Sequence, residues 1–138
     1  MSVPEGKRTE SKLEVIVKAL DLATHTIKIT ANPKIFSVEY KSALTDRIVS
    51  TSIEVYMKCW TANNIKIVDE ASFNMRKRLQ DEACYECNNL LALMQIAKKL
   101  FHLDSKKVSY WGKMAIETRN LIRAWRESDR KRYKNMVK

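Results

Sequence analysis

The stretch LQDEACYECNNLLALMQIAKKLF, residues 79–101, decides the fold. Leu79, Ala83, Cys87, Leu90, Leu91, Met94, Ala97 and Phe101 recur every three or four residues, the period of one helix face. No glycine or proline interrupts the run, and Asp69 or Ser72 upstream has the side chain to cap it. From Leu90 to Ala97 the stretch is apolar on nearly every side, broken only by Gln95. A helix apolar all round is buried all round, whereas each helix of a simple four-helix bundle keeps one face in water. The run therefore predicts a homo-oligomer with Leu90, Leu93 and Ile96 at the subunit interface. A wide but ordinary core face is the alternative.

The same period appears in three further segments. Residues 1–10 form a polar arm with Pro4 and Gly6, expected to be flexible. Ser11 and Glu14 then make a capping box. Leu13, Ile16, Val17, Leu20, Ile27 and Ala31 follow the helical period, and Val15, Ala19, Leu22 and Ile29 make a second stripe beside them, a double apolar face that also points to cover by another subunit. Asn32-Pro33 ends this helix, since the residue before proline leaves the α region. A second helix begins between Ser37 and Ser42, carries Leu44, Ile48, Val55, Cys59 and Ala62 on one face, and stops at Asn63-Asn64. A last helix, capped by Asp104 or Ser105, turns Val108, Trp111, Ala115, Ile122 and Trp125 inward. Short loops force antiparallel neighbours. The expected fold is all-α: an antiparallel up-down-up-down four-helix bundle over residues 11–138.

Composition agrees. A chain of 138 residues at average usage of about 7% glycine would hold roughly ten; this one has two, Gly6 and Gly112, and two prolines. Sandwiches, barrels and doubly wound sheets need turn residues at shorter intervals. Glycines so far apart also exclude a phosphate loop or a dinucleotide fingerprint. The charge is uneven: of the net +10, a net +8 falls in residues 106–138, with eleven basic and three acidic side chains. Such asymmetry is the footprint of a polyanion binder. Lys106, Lys107 and Lys113 lie in the first half of the last helix. Arg119, Arg123, Arg126, Arg130 and Lys134 follow at spacings of three or four, with Lys131 and Arg132 beside them. Side chains so spaced share a helix flank, and guanidinium forks suit phosphate oxygens. Phosphate contacts give affinity without sequence readout, so RNA and DNA are both expected ligands. Tyr110 and Tyr133 are the expected exposed aromatics, while Trp111 and Trp125 fit the core. The charge of Glu127 and Asp129 is within reach of Arg123, Arg126 or Arg130. A basic tail that merely solubilises a structural interaction module is the competing reading.

Other chemistry lacks its residues. A di-iron bundle needs Glu-x-x-His pairs, but Leu22 and Lys99 stand three residues before His25 and His102. Cys84-x-x-Cys87 lacks the second pair that zinc requires and the strand-turn-helix setting of a thioredoxin site. These thiols and Cys59 are expected to pack as small hydrophobes. No nucleophile has an evident base and orienting group, so neither an enzyme, a metal nor a cofactor is expected. The longest nearly uncharged run, Cys87 to Ala97, is shorter than the ~18 residues of a membrane span. The first residues have no apolar signal-peptide region. With three cysteines, an odd number, a reducing cytoplasmic setting is expected.

Several stretches resemble a known family: Val3-Pro4-Glu5-Gly6-Lys7-Arg8, Trp60-Thr61-Ala62-Asn63-Asn64, Cys87-Asn88-Asn89-Leu90-Leu91 and Ala124-Trp125-Arg126-Glu127-Ser128-Asp129. Together they are similar to the four-helix-bundle accessory variability determinant (Avd) proteins of diversity-generating retroelements, a group related to ribosomal-RNA intervening-sequence proteins. The resemblance implies a ring-shaped homopentamer with a basic surface. It implies binding to nucleic acid and to a retroelement reverse transcriptase, in support of mutagenic cDNA synthesis from a template RNA. An RNA-binding bundle of the intervening-sequence kind, without a polymerase partner, is the alternative.

Overall fold

The computed structural model describes residues 5–136, with side chains from residue 14. Four α-helices occupy most of that length: α1 (Glu5–Thr30), α2 (Asp46–Asn64), α3 (Glu70–Phe101) and α4 (Ser105–Arg132). No strand occurs among the described residues, and no helix among them is long and apolar enough to cross a membrane. Each helix packs on its neighbours in sequence, and α4 closes back on α1, giving a four-helix bundle. The backbone is already helical at Glu5, well before the expected start at Ser11. Residues 1–4 of the expected arm and the side chain of Ser11, half of the expected capping box, lie outside the described residues.

The core rows of α2 and α4 are those the apolar spacing predicts. Leu44, Ile48, Val55, Cys59 and Ala62 are buried, as are Val108, Trp111, Ala115, Ile122 and Trp125. On α1 the two stripes separate, and the core face takes in residues that neither stripe names. Val15, Ala19, Leu22 and Ala23 face the core, together with Thr26 and Thr30, while Val17, Leu20 and Ile27 remain 44% to 46% exposed. The reason is that threonine is not committed to water. Thr26 Oγ1 donates to the Leu22 carbonyl at 2.8 Å, and Thr30 Oγ1 to the Thr26 carbonyl at 2.8 Å. Their hydroxyls are satisfied within the helix, so the methyl groups can be buried. Thr26 Oγ1 also accepts from Trp111 Nε1 at 2.9 Å, tying α1 to α4.

The helix ends follow local chemistry. A 3₁₀ turn, Val38–Tyr40, and a π turn, Lys41–Thr45, lead into α2. At the start of α3, Asp69 Oδ1 accepts from the Ser72 N–H at 2.8 Å, and Ser72 Oγ accepts from the Asp69 N–H at 3.1 Å, a reciprocal cap. The Ser72 backbone N–H, and then its hydroxyl, hold the Asp69 carboxyl below its ordinary range. His102 ends α3 in the left-handed region, φ 53°, with its N–H on the Lys98 carbonyl. Asp104 then stands at the start of α4 without a side-chain cap bond.

Candidate nucleic-acid interface

The basic flank of α4 rests on a buried polar network that apolar spacing does not reveal. Arg76 of α3 and Asp129 of α4, 2% and 3% exposed, pair at 3.2 Å between Nε and Oδ2. Gln80 Nε2 donates to the same Oδ2 at 2.9 Å. The Arg76 guanidinium lies 5.8 Å from the centre of the Trp125 ring. Asp129 therefore neutralises a cation of α3, not Arg123, Arg126 or Arg130 of its own helix. Arg76 Nε and Asp129 Oδ1 have no hydrogen-bond partner among the described residues, so the pair is held by charge and by Gln80; because a buried charge without its partner is costly, the pair ties α4 to α3.

Above it, two of the α4 arginines reach toward α3. Arg126 forms an ion pair with Asp81, and Arg119 Nη1 donates to Asn88 Oδ1 at 2.8 Å. Arg130 makes a two-bonded fork with Glu127, at 2.9 and 2.7 Å. Those bonds hold the Glu127 carboxyl below the usual carboxylate range and push Arg130 further up. Arg123 is exposed and makes no ion pair among the described residues. Next to the fork, a cleft of about 270 Å³ is lined by Phe73, Lys77, Gln80, Arg126, Asp129, Arg130 and Lys134. Four cations around one partly neutralised cleft make a surface that attracts anions.

The structure does not gather all the expected basic residues. Lys106 and Lys107 are exposed at the far end of α4, about 36 Å from Arg130 at 1.5 Å per residue. Lys113 is exposed and sits 3.9 Å from Glu117. Lys131 is exposed, and Arg132 is half-buried over the Tyr133 ring. Tyr110 is 60% exposed, as expected, whereas Tyr133 is half-buried with its ring edge toward Phe73. Trp111 and Trp125 are core residues.

The expected oligomer residues are corrected in part. Leu90 is fully buried within the chain and has no surface to offer a partner. Leu93 is half-buried, and Ile96 is 53% exposed. The apolar run is wide because Leu91 packs inward beside Leu90, while Ala92, Gln95 and Ile96 face out. The larger uncovered apolar surface lies on the α1 double stripe, where a subunit contact is also expected, and on α2. Val17, Leu20 and Ile27 of α1 and Ile53, Met57 and Trp60 of α2 are each 36% to 46% exposed. The opposite flank of α1 meets α4 through His25 and Tyr110, and that of α2 meets α3 through Lys58 and Glu82. Leu20, Ile27, Ile53 and Trp60 therefore border the α1–α2 seam, with Val17 and Met57 on the outer faces beside them.

Cys59, Cys84 and Cys87 are free and buried. Burial pushes the Cys59 thiol up to about 12, and Cys84 and Cys87 are raised by the same cause. At neutral pH such thiols stay protonated and poorly nucleophilic. No cluster able to hold a metal ion occurs among the described residues. Two signals for the missed network were available: Arg76 and Gln80 fall on the buried row of Phe73, Ala83 and Cys87, and Asp129 sits four residues after Trp125 on the inner face of α4. Comparisons with protein families, with curated proteins and with solved structures gave no match.

Proposed function

We propose that the protein is a nucleic-acid-binding accessory protein of the Avd kind, acting beside a retroelement reverse transcriptase and its template RNA rather than as a polymerase itself. The observation that carries the nucleic-acid part is the arginine flank of α4. Asn88 and Asp81 orient Arg119 and Arg126, while Arg123 and Lys134 stay open to a phosphate backbone. Pre-oriented guanidinium groups lose less freedom on binding phosphate than unsupported ones. The polymerase partner and the count of five subunits rest on the sequence resemblance alone.

The helices run up-down-up-down in this reading. The contacts of α3 with α4, Gln80 to Asp129, Asn88 to Arg119 and Leu91 beside Gly112, fall in opposite chain order, which supports antiparallel neighbours. Subunits associate through the apolar rows of α1 and α2, a second copy of the chain being the occupant that matches two uncharged rows. A ring of such subunits would carry the basic flanks around its perimeter.

Fluorescence anisotropy with labelled RNA and DNA of unrelated sequence tests the reading. Log affinity is expected to fall linearly with log salt, as counterions leave the phosphates. Replacing Arg119, Arg123, Arg126 and Arg130 together by glutamine is expected to weaken binding by about tenfold or more and to flatten the salt slope. A folded quadruple variant that binds as tightly as the parent would overturn it. Co-purification of a reverse transcriptase and RNA from the native host tests the partner.

A further inference from the structure

The end of the bundle away from the Arg76–Asp129 network holds a cavity of about 630 Å³. It lies between the last turns of α1, the connection at 32–36, the His102 turn and the first turns of α4. That size falls in the range of small-molecule sites. Its walls are aromatic: Phe36 and Phe101 pack with ring centres 5.0 Å apart, and His25 meets Tyr110 at 5.4 Å. Trp111, 1% exposed, closes the side toward the core, its indole N–H already satisfied by Thr26. Around the mouth stand Lys28, Lys34, Lys106 and Lys107, all exposed and none in an ion pair among the described residues. Asp104 is the one carboxylate among the lining residues. Because Asp104 makes no side-chain cap bond, the first-turn N–H groups of α4 add to the positive field at the same mouth.

We propose that this cavity binds a nucleoside phosphate, the base entering between the aromatic walls and the phosphate resting at the lysines and the start of α4. Two separate requirements select that chemistry. A purely apolar ligand would leave the four lysines without a role, and an inorganic anion would leave the aromatic volume empty. A flat ring system joined to a phosphate meets both, and base faces stack on aromatic side chains whatever their sequence. The proposal does not depend on the arginine flank, which lies toward the other end of α4. The ligand is either a free nucleotide or one unpaired nucleotide at the end of a strand.

Isothermal titration of the full chain with adenosine monophosphate tests it. One site per chain is expected, with adenosine and inorganic phosphate each about tenfold weaker or worse. Tyr110→Ala, at an exposed position, and the pair Lys106→Gln with Lys107→Gln are each expected to weaken the nucleotide by about fivefold or more. Lys66→Gln, in the connection between α2 and α3, should leave it unchanged. Nucleotide binding that is absent, or equal in parent and cavity variants, or no tighter than phosphate alone, would overturn the proposal. A 5′-phosphorylated single-stranded decamer, titrated into the quadruple glutamine variant, separates the two sources. Displacement of the nucleotide by the decamer, lost again in Tyr110→Ala, identifies a strand end; a nucleotide the decamer does not displace identifies a free ligand. Nucleotide binding without polymer binding would remove the nucleic-acid reading and keep this one, and polymer binding without nucleotide binding would do the reverse.

Discussion

The α1–α2 seam and the α3–α4 seam are built on the same plan and finish in opposite chemistry. Beneath both, small residues such as Ala19, Ala62, Ala83 and Ala115 are fully buried between larger ones such as Leu22, Ile48 and Ile122. At the surface of the first seam stand Leu20, Ile27, Ile53 and Trp60. Across the second, Arg119 and Arg126 cross from α4 to Asn88 and Asp81 of α3. The inner rows set how helices pack, and the flanking rows set what each face can meet. Changing one flank should therefore alter one function and leave the bundle standing, whereas changing the network between α3 and α4 should alter the bundle itself.

The largest effect is expected where the charged seam enters the core. Asp129→Ala would leave Arg76 buried and unpaired, which is expected to cost about 3–5 kcal/mol. Urea unfolding followed by circular dichroism measures it. The double change Arg76→Met with Asp129→Leu should recover much of the loss, because an apolar pair of similar volume needs no neutralisation. A single variant as stable as the parent would mean that the network does not hold α3 to α4.

The apolar seam is expected to break differently. Leu20→Glu with Trp60→Glu places two charges on a face that the proposal covers with another subunit. The association constant should drop by about a hundredfold, about 2.8 kcal/mol at 1.4 kcal/mol per tenfold. Both positions are about half exposed, so the helical signal should persist. Leu93→Glu on α3 should leave assembly intact if the α1–α2 face is the interface. Light scattering at micromolar concentration reads all three. A parent chain that runs as a monomer would remove the self-association reading, and dissociation by Leu93→Glu alone would return the interface to α3.

A smaller change tests what lies beneath the apolar seam. Thr26→Val keeps shape and removes the oxygen that accepts from Trp111 Nε1. A buried donor left without a partner costs about 1–3 kcal/mol, to be read as a lower unfolding midpoint. This threonine also explains how far the sequence could be read. The core faces of α2 and α4 were legible because their buried rows are nearly all apolar. On α1, Val15, Ala19 and Leu22 of the second stripe are buried beside Thr26 and Thr30 while Val17, Leu20 and Ile27 of the first stay outside, so hydropathy shows two apolar faces without saying which is the inner one. The arginine spacing on α4 was legible, since it is local to one helix. Its supports were not: Asp81 and Asn88 become partners only through the rotation of α3 against α4, and Arg76 reads as surface charge until Asp129 stands beside it. The end cavity is assembled from segments far apart in the chain, which no local pattern connects.

The smallest effect concerns the remaining seam, between α1 and α4, where His25 meets Tyr110. Desolvation lowers the His25 imidazole below its ordinary 6.5, and the nearby Lys28 charge adds to the shift. The folded chain then binds fewer protons at this site than the unfolded chain, so stability rises with pH through that window. As pH falls below 6.5 the unfolded state gains a proton first and stability declines, levelling off once the folded imidazole is also protonated. The carboxylates with lowered values, Asp69 and Glu127, begin from 3.8 and 4.5, so their acid loss sets in at lower pH. Urea midpoints of the parent and of His25→Gln, compared between pH 7 and the carboxylate range, isolate the imidazole. The parent should lose stability relative to the variant on acidification, and added adenosine monophosphate should reduce that loss, because a phosphate at the cavity mouth favours the imidazolium. A parent that holds or gains stability as the pH falls would show that the α1–α4 seam does not disfavour the charged ring, and that this end of the bundle is wetter than its aromatic walls imply.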